Sequence, residues 1–95
     1  MRKIAKKDNN HREIVKALIQ VGCSVLDIAG VGNGCPDLLV GYRGTNYLME
    51  IKNRKSSYGK RGLKENQQKF ANQWRGGQVY VVSTIEEALK IIRAI

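Results

Sequence analysis

Apolar residues fall at Ile14, Val15, Leu18 and Ile19, with Val21 just beyond, inside an otherwise polar run. Recurrence every three to four positions predicts an amphipathic helix. Asp8-Asn9-Asn10 offers side chains able to cap its start, and Gly22 ends it. The pattern then shortens. Ser24 to Ile28 reads as a brief strand, followed by the glycine-rich connection Ala29 to Gly34 and by Cys35-Pro36. Asp37 to Gly41 is a near-continuous apolar run, as expected for a buried strand. Residues 42–46 form a hairpin connection with Gly44 available for a positive φ, and Tyr47 to Lys52 is the partner strand. A polar, basic stretch from Asn53 to Gly62 reads as a mobile loop. Helical periodicity returns from Leu63 to Arg75, with Leu63, Gln67, Phe70, Ala71 and Trp74 on one side, until Gly76-Gly77 breaks it. Gln78 to Ser83 is a strand. Thr84 then caps a last helix running to the C-terminus, with Glu87 completing a capping box.

The order is helix, three strands, helix, strand, helix. Three strands in succession can form an antiparallel meander, and the helix after Leu63 lets the strand at Val79 to Val82 run parallel to a partner. The expected fold is α/β, a mixed four-stranded sheet flanked by helices. A length of 95 residues is expected to make one domain, with residues 1–7 as a flexible basic N-terminus.

Apolar content of 42% and charged content of 26% are ordinary, but charge balance is not. Seventeen Lys and Arg against eight Asp and Glu give a formal net charge of +9. That field favours an anionic partner, above all nucleic acid; the bland alternative is solubility alone. Apolar stretches are far too short to span a membrane, and Met1 to Lys7 is basic without the apolar run of a signal peptide. Cys23 and Cys35 are then expected as reduced thiols in the cytoplasm, and with His11 they form no recognisable zinc pattern.

Glu50 and Lys52 lie two residues apart on a strand and so share a face, opposite Tyr47, Met49 and Ile51. If the neighbouring strand starts at Asp37, that acid joins them. Phosphodiesters resist hydrolysis because anionic oxygens shield phosphorus and the alkoxide leaves poorly; a divalent ion on oxygen ligands relieves both problems. Asp37 and Glu50 can supply those ligands, with the main-chain carbonyl of Ile51 as a further one. Lys52 can stabilise charge developing on the phosphate. Glu13, on the turn of the first helix facing the sheet, is a third acid for metal or for a bound water. His11 reads as a surface residue. Arg54, Lys55, Lys60, Arg61 and Lys64 can meet backbone phosphates, although such a run is also a common solvated surface. Gln67 can reach back over the cluster. Phe70 and Trp74 read as core. Gly30 to Gly34 lacks the lysine and helix of a P-loop, which argues against a nucleotide cofactor.

These residues carry a resemblance. Pro36-Asp37 followed by Glu50-Ile51-Lys52 after a hairpin resembles the PD-(D/E)XK nuclease superfamily, whose restriction-endonuclease-like core has the element order read above. Adding Glu13, Gly34-Cys35-Pro36-Asp37-Leu38, Leu63 and Gln67, the chain is similar to the VRR-NUC branch over about residues 8–92. Small stand-alone members occur in bacteriophages, which would place this chain in a host cytoplasm; larger eukaryotic DNA-repair nucleases carry the module at the C-terminal end. The resemblance implies Asp37 and Glu50 as magnesium or manganese ligands, Lys52 as catalytic lysine, Glu13 as helix acid and Gln67 as accessory glutamine. It also implies similarity to homodimeric Holliday-junction resolvases acting on four-way DNA in recombination. One departure is Lys64-Glu65-Asn66, where the family often has Thr-Pro and a small residue. The expected function is a metal-dependent structure-selective endodeoxyribonuclease. The alternatives are a nuclease for flaps, single-strand junctions or duplex, and a non-catalytic DNA-binding module.

Overall fold

The computed structural model describes residues 9–53 and 62–95. Their elements are α1 (Asn9–Gln20), β1 (Ser24–Asp27), a 3₁₀ turn (Ala29–Val31), β2 (Leu38–Tyr42), β3 (Thr45–Ile51), α2 (Glu65–Gln73), β4 (Val79–Val82) and α3 (Ile85–Ile91). The sheet order is β1-β2-β3-β4. The first three strands form the expected antiparallel meander, and β4 lies parallel to β3 after the crossover through α2. Tyr42 pairs with Thr45, so Arg43 and Gly44 alone make the turn. Both have positive φ, 49° and 82°, the backbone of a tight two-residue hairpin that matches strand twist.

One sheet face carries the core. Leu38, Val40, Met49 and Val82 are fully buried there, together with Ile14 and Leu18 of α1 and Ala88 of α3. Burying each large side chain contributes roughly 1.5–3 kcal/mol. The buried stripe of α1 is narrower than its periodicity predicts: Ile19 and Val21 are 56% and 37% exposed. Helix α1 packs beside the edge strand β1 and against α3, so residues beyond the Ile14–Leu18 stripe have no second layer to meet. Ile19 lines an open groove with Val25 instead.

Helix α2 is shorter than predicted, because Lys64 and Trp74 are both extended at its ends. None of its residues is buried. Trp74, expected in the core, is 49% exposed. Its ring stacks on Phe70 with centroids 5.2 Å apart and planes 13° from parallel. Helix α3 also stops short of the terminus. Arg93 adopts φ 63°, and the N–H groups of Arg93 and Ala94 donate to the carbonyls of Lys90 and Leu89. This is a Schellman ending, here without glycine. At its other end the capping box is present: Glu87 N–H donates to Thr84 Oγ1 at 3.1 Å, and Thr84 N–H to Glu87 Oε1 at 3.2 Å. Among the described residues no helix is long and apolar enough to cross a membrane.

Candidate active site

The last pair of the β2–β3 ladder is Leu38 with Met49. One further step sets Asp37 opposite Glu50 and Pro36 opposite Ile51. Proline has no N–H and follows a constrained residue, so the ladder ends there. The carboxylate of Asp37 replaces it: Ile51 N–H donates to Asp37 Oδ2 at 2.9 Å. Two consequences follow. Asp37 is oriented by the backbone of the strand that carries Glu50, and both acids lie on the face opposite the core.

Glu50 is 4% exposed and Lys52 is 8% exposed. Lys52 Nζ lies 3.5 Å from Glu50 Oε2. Gln67 joins them from α2: Lys52 Nζ donates to Gln67 Oε1 at 3.0 Å, and Gln67 Nε2 donates to Glu50 Oε2 at 2.9 Å. The amide therefore presents its acceptor to the cation and its donor to the anion. It is itself held, because Lys64 N–H donates to Gln67 Oε1 at 2.9 Å. A lysine at the start of a helix has no side-chain acceptor to cap it. Gln67 supplies the acceptor instead, so the residue departing from the family pattern leaves the glutamine well anchored.

Glu50 Oε1 is buried and has no hydrogen-bond partner among the described residues. Burial, reinforced by the charge on Asp37, pushes the Glu50 carboxyl up to about 7, against the opposing pull of Lys52 and Gln67. Burial first, then the negative charges of Glu50 and Asp37, also raises the Cys35 thiol, so it stays protonated at neutral pH. Cys23 and Cys35 are both free thiols.

Asp37, Glu50, Lys52 and Gln67 are thus brought together. Glu13 is exposed on α1 and makes no contact with this network, and among the described residues no three His, Cys, Asp or Glu side chains converge as a metal cage. His11 is half-buried rather than a surface residue, with a buried Nε2 that has no hydrogen-bond partner among the described residues. Lys64 is exposed at the site's edge, while Arg54, Lys55, Lys60 and Arg61 lie outside the described residues.

Two supporting residues escape the sequence reading. Asn10, expected only as a cap, donates through Nδ2 to the carbonyls of Lys52 at 3.0 Å and Ser83 at 3.3 Å. It ties α1 to the ends of β3 and β4. Gly34 has φ 80°, and a Cβ there would overlap the backbone carbonyl of Asn66. Only glycine lets the loop before Asp37 lie against the first turn of α2, one residue from Gln67. A glycine two residues before Pro36 signals a turn, but not its partner.

The donor set suits a hard divalent cation. It offers two carboxylates, one of them with a desolvated, unsatisfied oxygen, and no close imidazole or thiolate cluster.

The fold is similar to that of a solved chain described as a "VRR_NUC domain", with a TM-score of 0.66 over 87% of this chain and 89% of that one, at 24% identity. No match is found among curated proteins. The sequence profile described as "Archaeal holliday junction resolvase (hjc)" spans residues 2–94. That span takes in both acids, the lysine, the glutamine and all the elements that hold them. The chain belongs to the archaeal Holliday junction resolvase family.

Proposed function

We propose that the chain is a metal-dependent endodeoxyribonuclease that resolves four-way DNA junctions as a homodimer. The observation that carries this reading is Glu50: a buried carboxyl, beside a buried lysine and a second acid, with one oxygen left without a partner. A purely structural ion pair would satisfy that oxygen, since an unmade buried hydrogen bond costs about 1–3 kcal/mol. A binder of phosphate would gain nothing from two acids.

Asp37, Glu50 and the carbonyl of Ile51 would hold Mg²⁺ or Mn²⁺, and Glu13 acts through water from the α1 side. When bound, the ion lowers the pKa of water and neutralises charge at the phosphate. Lys52 places its ammonium against the charge that develops on the non-bridging oxygens. Gln67 fixes the direction of that ammonium and the rotamer of Glu50. Arg54, Lys55, Lys60, Arg61 and Lys64 grip flanking phosphates. A single site cuts one strand, so symmetrical resolution needs two copies related by a two-fold axis. Free thiols are consistent with action in a reducing cytoplasm.

The test is cleavage of a labelled four-way junction against linear duplex of the same arm sequence, in magnesium, manganese and EDTA. Paired symmetrical nicks in the junction alone, dependent on metal, are expected. Equal cutting of duplex would remove junction selectivity. Tight binding with no product under any metal would overturn the nuclease reading.

A further inference from the structure

The parallel ladder of β3 and β4 ends where Ile51 pairs with Val82. Lys52 and Ser83 are the next residues on the two strands, and Lys52 N–H still donates to the carbonyl of Val82 at 2.9 Å. From there a side chain takes over. Asn10 Nδ2 donates to the carbonyl of Lys52 at 3.0 Å and to that of Ser83 at 3.3 Å. A carboxamide nitrogen carries two protons, one for each carbonyl. Asn10 Oδ1, by contrast, is buried and has no hydrogen-bond partner among the described residues. A buried acceptor without a bond is costly, and a side chain that only seated α1 against the sheet would avoid it. The position therefore uses the pair of donors. Lys52 is also where the chain leaves the sheet, and strand ends are the parts that fray most easily. Its ammonium is held at the other end by Gln67 and Glu50. A four-carbon stem lies between, so the direction in which it leaves the backbone decides where the ammonium can reach.

We propose that Asn10 is a positioning residue for the nuclease reaction: by tying the Lys52 carbonyl to α1 and to the end of β4, it fixes the direction from which the Lys52 ammonium meets the phosphate. The proposal rests on the nuclease reading of the site. Asn10 acts through Lys52 and not on the substrate. A misplacement of about 1 Å at the reacting groups costs about a hundredfold in rate, so loosening the root of the lysine is felt in the chemistry. It is not felt in DNA affinity, which exposed cations set. The same requirement narrows the residue type. Ionised aspartate has the shape of asparagine but no donor, and its charge repels both carbonyls. Serine or threonine brings one donor, and alanine none. A terminal amide of this reach ties both strand ends at once.

The test is single-turnover cleavage of the four-way junction in magnesium by the full chain, with Asn10→Asp and Asn10→Ala as variants and Ile92→Val as control. Ile92 is buried at the end of α3 remote from Ser83, so the control loosens the core and leaves the tie in place. Each Asn10 variant is expected to cleave about thirtyfold more slowly, with a Kd for the junction within about twofold of wild type. In a Lys52→Ala background the same substitutions should cost less than about threefold, because the group they misplace is gone. Ile92→Val should lower Tm and still cleave within about twofold of wild type. Cleavage by Asn10→Asp within about threefold of wild type would overturn the proposal. So would an equal loss in the Lys52→Ala background, or a matching loss in Ile92→Val. NMR relaxation of the Lys52 side chain, without DNA, reads the tie with no reaction at all. Its order should fall in Asn10→Asp and hold in Ile92→Val, and unchanged order in Asn10→Asp would also overturn the proposal. Failure of the nuclease reading shows differently: no metal-dependent product from wild type, whatever the order of Lys52.

Discussion

Glu50 places a carboxyl group, 4% exposed, against the ammonium of Lys52 and the amide of Gln67. The side-chain alternation of a strand was enough to put Glu50 and Lys52 on one face, and the Pro36-Asp37 pair was enough to bring the second acid. Burial was not legible, because it depends on α2 lying over the site. Its consequence is a carboxyl titrating at about 7 instead of 4.5. The sign follows from which form the fold prefers. Without metal, the protonated form is favoured in the fold, so its contribution to stability is complete below 4.5 and lost as pH rises through about 7. On the proposed reading, a metal held by Glu50 would compete for the carboxylate with that proton. The apparent affinity for Mg²⁺ should therefore rise about tenfold between about pH 6 and 8 and then level off. Titration calorimetry on the chain without DNA measures it. An affinity that does not change over this range would show that Glu50 is not a ligand.

At the scale of elements, the antiparallel meander, the hairpin and a parallel last strand all followed from apolar periodicity and two turn signals; that β4 takes β3 as its partner did not. Helix boundaries did not. Helix α2 begins and ends on extended residues, and Trp74 sits outside although its spacing from Phe70 and Gln67 is helical. Periodicity shows which residues share a side, not whether that side is covered. The contact between Gly34 and Asn66 was equally hidden, since it joins segments distant in sequence. It predicts a coupled defect. Gly34→Ala should cost about 2 kcal/mol of stability, from the positive φ and the displaced α2. Cleavage should fall about tenfold in wild type but by much less in a Gln67→Ala background, because both changes disturb the same amide. Thermal melts and single-turnover rates over the four combinations check this. Independent, multiplicative losses would mean that Gly34 acts elsewhere.

Across the whole molecule, the excess of positive charge separates affinity from chemistry. Phosphate contacts made by Lys and Arg release counterions, so binding should weaken steeply with salt, by about 0.9 log units per log of salt for each phosphate contacted. Asp37→Ala should keep that slope, because removing an acid takes away no phosphate contact. Filter binding from low to moderate salt measures it, and a flat dependence would mean that the +9 charge does not face the DNA. The charge was plain in the sequence. The tie from Asn10 to the carbonyls of Lys52 and Ser83 was not, because it joins α1 to two strand ends far apart in sequence. On this account affinity comes from exposed cations and catalysis from one buried acid.

That separation makes Glu50→Ala the most direct test. Single-turnover cleavage of a four-way junction in magnesium, at saturating wild type or variant, measures chemistry without binding. The account predicts a loss of at least about 1000-fold with a Kd within about threefold of wild type. Cleavage by Glu50→Ala within about tenfold of wild type would contradict it.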